Sequence, residues 1–249
     1  MSEIREGYKQ TKVGVIPEEW EVTKLKNVLE KSVQNGYSPV CPEHSTGHWI
    51  LGLGALSKEN KLKLDEIKPA PFNDEKVKKF ILKKNDFLVS RSNTPDKVGY
   101  SGRFDSDKTI YSYPDLMMRF RIDENKIDTL YLEYFLKTHG VLKYYQKSAA
   151  GSSSTMVKIN KSVVENTPIV YPTLKEQQKI AEILTTWDSA ISKQEELIKA
   201  KEELKKGLMQ KLLSGEVRFE EFGVGTLVPL KDSDIYNRED FPDACIGWS

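Results

Sequence analysis

Two stretches of this 249-residue chain gather donor side chains densely enough to do chemistry. In "AAGSSSTMVKIN", residues 149–160, Ser152, Ser153, Ser154 and Thr155 set four hydroxyls in a row ahead of Lys158, with no carboxylate among them. A nucleophilic serine, a flexible linker, or a loop that offers hydroxyls and backbone N–H groups to phosphate would each use such a run. In residues 90–103, Arg91, Ser92, Asn93, Thr94, Lys97 and Arg103 gather, and "SNTPDKVGYSGRF", residues 92–104, is rich in turn formers, which predicts an exposed loop.

Other patterns point to enzymes and fall short. Cys41, His44 and His48 have a spacing that could ligate zinc, but a structural site needs a fourth ligand and none lies nearby. Pro114–Asp115 followed by Glu124, Asn125 and Lys126 has the outline of a metal-dependent nuclease, whose acids must converge on one metal. Here Glu124 and Lys126 sit in "DENK", a polar turn closing a strand. There is no G-x-S-x-G elbow for a nucleophilic serine, no complete dinucleotide-binding glycine pattern, and no P-loop. The Asn/Asp-Pro-Pro-Tyr/Phe run of amino-methyltransferases is also missing. These features read as a non-catalytic chain without a metal site.

Charge divides unevenly along the chain. The net charge is +1, yet residues 1–172 carry 27 basic and 22 acidic side chains, and residues 214–249 carry three and eight. Residues 76–103 hold eight Lys/Arg against Asp86 and Asp96, and residues 143–161 hold four lysines and no acid. Two basic stretches on one domain suggest a surface for a polyanion. A hydrophobic content of 38% supports an ordinary core, no apolar run approaches a membrane span, and "MSEIREGYKQ" has no signal-peptide character. With two cysteines only, Cys41 and Cys245, the expected location is the cytoplasm.

The elements that must hold these residues follow from periodicity. "DLMMRFRID" alternates, with Leu116, Met118, Phe120 and Ile122 on one face and Arg119 and Arg121 on the other, as a half-buried strand does. "HWILGLGAL" predicts a strand and turn, "FILKKNDFLVSRS" two apolar pieces around a turn at 83–86, and "NTPIVYP" a last short strand. Asp128 is placed to N-cap a helix over 129–139, ended by Gly140. Strands and helices mix without a βαβ rhythm, so the expected class is α+β. Residues 174–213 then repeat apolar positions by threes and fours, including Ile180, Leu184, Trp187, Ile191, Ile198, Leu204 and Leu208. A helix of that length, about 60 Å at 1.5 Å per residue, calls for a coiled-coil partner.

Several segments occur in the order of one known family: "VGVIPEEWEVTKL", "LVSRSNTPDKVGYSG", "YLEYFLKT", "AAGSSSTMVKIN", "TPIVYPTLKEQQKIAEIL" and "LIKAKEELKKGLMQKLLSGEVRF". Over residues 13–219 the chain resembles the specificity subunit of type I restriction–modification enzymes. The most specific signal is Pro-x-Leu-x-Glu-Gln-x-x-Ile leading into a helix that ends Leu-Met-Gln-x-Leu-Leu-x-Gly. Family members usually carry two target-recognition domains, each followed by a helix, and the helices pair antiparallel.

The resemblance therefore implies a half-length form in a host-defence system. Its parts would be a target-recognition domain over 1–172, a dimerising and spacing helix over 173–213, and an acidic tail over 214–249. Expected partners are double-stranded DNA, methyltransferase and restriction/translocase subunits, and a second copy of the chain. S-adenosylmethionine, ATP and Mg²⁺ would be used by the partner subunits, with no cofactor in this chain. Ser152, Ser153, Ser154, Thr155 and Lys158 match the family's Gly-Ser-Ser loop and suit phosphate oxygens. Arg91, Asn93 and Arg103 suit base edges, with Ser92, Thr94 and Lys97 beside them. A free-standing metal-dependent nuclease or a dimeric DNA-binding regulator is the alternative.

Overall fold

A computed structural model describes residues 4–218 apart from 12, 58–61, 72 and 151–155. The strands are β1 (Tyr8–Thr11), β2 (Gly14–Pro17), β3 (Glu21–Lys24), β4 (Leu29–Asn35), β5 (Trp49–Leu51), β6 (Ile67–Pro69) and β7 (Phe87–Ser90). They continue as β8 (Ser92–Asn93), β9 (Ser101–Arg103), β10 (Tyr111–Ser112), β11 (Met117–Ile122), β12 (Val157–Lys158) and β13 (Pro168–Tyr171). The helices are α1 (Glu75–Lys78), α2 (Thr129–Leu136), α3 (His139–Ser148), α4 (Lys161–Glu165) and α5 (Leu174–Leu213). The class is α+β, as expected. Among the described residues, those up to Thr185 form one compact unit and those from Thr186 are grouped as a second.

The organising element is a four-stranded sheet in the order β4-β11-β7-β9, antiparallel at each pairing. Its centre follows from alternation. Met118, Phe120 and Ile122 of β11, with Phe87 and Val89 of β7, pack against Tyr131, Leu132, Leu136, Val141 and Tyr145 of α2 and α3. Each fully buried aliphatic or aromatic side chain contributes about 1.5–3 kcal/mol. Met117 and Leu88 enter a second core with Leu51, Leu82, Phe104 and Tyr113. Arg119 and Arg121, on alternate positions of β11, remain half-buried and ionic.

Asp128 does N-cap α2, its carboxylate accepting the Tyr131 N–H at 2.8 Å. That helix stops at Leu136, however. Thr138 takes an extended conformation as N-cap of α3, and Gly140 lies inside the first turn of α3 instead of terminating α2. The apolar piece 80–82 is likewise not a strand; Phe80 and Leu82 plug the second core from an irregular segment. α5 spans the residues expected from the apolar repeat, and Gly215 (φ +74°) follows its end as a left-handed cap, with the Val217 N–H donating to Lys211 O. Among the described residues no helix is long and apolar enough to cross a membrane.

Gln177 joins the start of α5 to the rest of the first unit. Its side chain is fully buried, its Oε1 accepts the Asp128 N–H at 2.8 Å, and its Nε2 donates to Pro172 O at 2.9 Å. The Glu-Gln pair of the sequence signature thus has a structural role. Gln177 satisfies two backbone groups, and Glu176 accepts from Trp20 Nε1 at 3.3 Å.

Candidate nucleic-acid interface

The two donor-rich stretches, far apart in sequence, meet in one ladder. β8 and β12 pair antiparallel, with Ser92 opposite Lys158 and Asn93 opposite Val157. The Ile159 N–H donates to Arg91 O at 2.9 Å, extending the contact by one residue. On its other side Lys158 exchanges both backbone hydrogen bonds with Ala150 at 2.9 Å. Ala150 and Lys158 therefore bracket the serine run. Ser152, Ser153, Ser154 and Thr155 themselves lie outside the described residues, as does most of the acidic tail (219–249).

The loop after β8 is held by its own donors. Asn93 Nδ2 donates to Ser90 Oγ (3.2 Å) and its Oδ1 accepts the Thr94 N–H (2.9 Å). Thr94 O accepts the N–H groups of Lys97 and Val98, both at 3.0 Å. Gly99 closes the turn at φ +84°, and a Cβ there would stand 2.5 Å from Tyr145 Cβ, so α3 is the wall against which the loop is folded. Gln146 Nε2 of the same helix donates to Asp96 O at 3.1 Å. Tyr145 is itself fixed, fully buried and accepting from Thr167 Oγ1 at 2.9 Å.

Alternation sorts the candidates. Ser92 is fully buried, and the hydroxyl oxygens of Ser92 and Thr94 are both shielded from solvent, so neither hydroxyl lies on the accessible edge. Lys97 and Lys158 are exposed, and Arg91 and Asn93 half-exposed. Arg91 Nη1 donates to Asp115 O at 3.2 Å, which steadies the guanidinium while most of its fork stays open. Ser38, which the sequence did not single out, borders this edge. Its hydroxyl donates to Asp115 Oδ1 at 2.5 Å and accepts the Asp115 N–H at 3.2 Å.

Arg103 is engaged elsewhere. Its Nε donates to Glu133 Oε2 at 2.6 Å, its Nη1 to Asn85 Oδ1 at 3.1 Å, and its Nη2 to Asp105 Oδ2 at 3.2 Å. The side chain is 12% exposed. The hydrogen bond from Arg103 holds the Asp105 carboxyl below the usual carboxylate range. A fork filled on three sides has little left for a base edge.

The acids of the nuclease-like pattern do not converge. Asp115 precedes β11 and Glu124 follows it, so roughly 20 Å of strand lies between them. Asp115 binds Ser38, whereas Glu124 accepts from Asn85 and Thr129. No group of three His, Cys, Asp or Glu placed to hold a metal occurs among the described residues.

Along α5 the apolar positions separate. Ile180 packs against the first core, alongside the buried Ala181, and so holds the helix to its own domain. Leu184 (37%), Trp187 (60%), Ile191 (53%), Ile198 (58%) and Leu204 (51%) are exposed, and Leu208 is half-buried.

A family model described as "Type I restriction modification DNA specificity domain" matches residues 17–202. A putative type I restriction enzyme MjaX specificity subunit of Methanocaldococcus jannaschii is 31% identical over 215 residues, covering 84% of this chain and 49% of that protein. The type I restriction enzyme MjaVIII specificity subunit of the same organism is 28% identical over 225 residues, covering 85% and 49%. The crystal structure of a type I restriction–modification S subunit from M. genitalium superposes with a TM-score of 0.53 at 18% identity, over 78% of this chain and 46% of that one, a likeness of fold. The chain spans about half the length of the curated relatives it matches.

Proposed function

This chain belongs to the family of type I restriction–modification DNA specificity domains, and from that premise we propose that it is the DNA-recognition component of such a system, reading one half of a bipartite target. The observation that carries this is the β8–β12 ladder, which sets Lys158 against Ser92, Val157 against Asn93 and Ile159 against Arg91, where the loop that carries Lys97 begins. Lys97 and Lys158 suit phosphate oxygens and fix register, as Ser152, Ser153, Ser154 and Thr155 would beside them. Arg91 and Asn93 are the base readers, since forked and amide side chains can bond two groups of one base edge at once in the major groove; Asn93 would exchange its bonds to Ser90 and Thr94 for that contact. Arg103, bound as it is, serves the fold.

The exposed stripe of α5 from Leu184 to Leu208 pairs antiparallel with a second copy, restoring two recognition domains. A closed two-fold dimer presents identical surfaces, so the target is two inverted copies of one short sequence. Methyltransferase and restriction/translocase subunits dock on this scaffold in the cytoplasm and supply all chemistry, with S-adenosylmethionine, ATP and Mg²⁺. Two measurements test the proposal. Methylation mapping in cells carrying the system should give an inverted repeat; two unrelated halves would mean that a different second subunit completes the complex. The purified chain with DNA, Mg²⁺ and S-adenosylmethionine should give no product; cleavage or methylation by the chain alone would overturn the non-catalytic assignment.

A further inference from the structure

The face of β11 that carries Arg119 and Arg121 opens into a groove of about 290 Å³ between β4, α1 and the 79–86 segment. Six cations line it: Lys31, Lys78, Lys79, Lys83, Arg119 and Arg121. Asp86 is the one acid among the described residues that line it, and it is already saturated. It is 2% exposed, Oδ1 accepts Nε and Nη2 of Arg121 at 3.1 and 2.8 Å, and Oδ2 accepts the Lys83 N–H at 2.8 Å with Arg119 Nη1 at 3.5 Å. Lys78 is paired with Glu75 at 2.6 Å. Six cations against two carboxylates leave four positive charges unanswered, and Lys31, Lys79 and Lys83 form no ion pair with any described residue.

Both guanidinium groups are set in advance. Arg119 donates to Ile81 O at 3.1 Å and Gln34 Oε1 at 2.7 Å and lies 5.4 Å from the centroid of the Tyr113 ring. Arg121 is held by Asp86 and Lys84 O. A concave site of one sign focuses its field and concentrates counter-ions; the two bonded arginines supply fixed charge, and the compact, rotatable ammonium groups of Lys31, Lys79 and Lys83 suit phosphoryl oxygens. A single carboxylate would answer only one of four charges. Among the described residues that line it, the one aromatic, Phe120, is 1% exposed and offers no ring face on which a nucleobase could stack.

We propose that this groove is a phosphate-binding site for a ligand with several phosphoryl groups, either successive backbone phosphates of a nucleic acid or a free polyphosphate, recognised by charge and not by base. It does not depend on the β8–β12 edge being a base-reading surface.

The test uses the whole chain and the charge reversal Lys31→Glu, Lys79→Glu, Lys83→Glu, which spares the arginines that neutralise Asp86. Circular dichroism checks the fold, and the triple Lys→Gln variant replaces it if the reversal unfolds. Calorimetry with inorganic tripolyphosphate forms one arm, and binding of a random-sequence duplex across a salt series forms the other. Loss of tripolyphosphate binding by tenfold or more, with DNA binding unchanged, supports the site and assigns it to a free polyphosphate. A fall of about two to three in the log–log salt slope on DNA, at about 0.9 per phosphate contact, supports the site and assigns it to the backbone. Unchanged behaviour in both arms overturns the proposal. Lys158→Ala serves as the control: it should leave tripolyphosphate binding intact, so failure at the edge and failure in the groove are told apart.

Discussion

Ser92 and Lys158 stand opposite each other in an antiparallel ladder, the serine fully buried and the lysine exposed. One pairing thus ties Lys158 to the strand that opens the Arg91–Lys97 loop. The same alternation that buries Ser92 leaves Arg91 and Asn93 half-exposed.

Division of labour along this edge is measurable within the assembled complex. Lys158→Ala should weaken DNA binding about equally for all sequences and lower the salt slope by about 1. Arg91→Ala or Asn93→Ala should relax preference at one base position, by about 1–3 kcal/mol for a bidentate contact. Binding and preference that survive all three substitutions would remove this face from the interface.

Gly99→Ala should destabilise the fold by about 2–5 kcal/mol, combining left-handed backbone strain with overpacking against Tyr145. Denaturant unfolding gives the number. A loss under 1 kcal/mol would show that α3 yields at that contact and that the loop is not rigidly backed.

Gln177→Leu puts an apolar side chain of similar size at the root of α5 and strips the partners from Asp128 N–H and Pro172 O. With about 1–3 kcal/mol for each buried group left unmatched, the variant should lose about 2 kcal/mol or more. Hydrogen exchange should quicken first at Asp128. Wild-type protection there would rule out the bridge.

Arg103→Ala should lower the melting temperature and leave base preference alone, the reverse of Arg91→Ala. The ion pair also has a pH signature. Because Asp105 titrates below its unfolded value of about 3.9, its contribution is complete above that pH and disappears as pH falls through the depressed folded value. With Asp105 57% exposed the effect is small. Asp105→Asn should flatten the acid limb of the stability curve; a change confined to neutral pH would contradict this assignment.

Ile191→Asp combined with Ile198→Asp places charge in the exposed stripe of α5 and should give monomers by light scattering, with the first unit still folded. A wild-type chain that stays monomeric at high concentration would overturn self-pairing.

The sequence by itself determined what depends on near neighbours. The alternation of β11, the Asp128 cap, the span of α5 and its terminating glycine follow from periods of two and of three to four and from backbone preferences that each segment carries alone. The family signature was also local, and so was the grouping of donors at 90–103 and 149–160. Tertiary structure decided everything that depends on partners distant in the chain. Arg91 and Arg103 look alike as residues in a basic loop, but Glu133 on α2 captures one and not the other. Ser92 and Asn93 differ only in which way a two-residue strand faces. Gln177 gives no local hint that it serves Asp128 and Pro172. Lys31, Lys79, Arg119 and Arg121 become one groove only once β4 and β11 pair. Charge and hydrogen-bonding capacity belong to the residue; whether they are spent inside the fold or left free depends on how the chain closes around them.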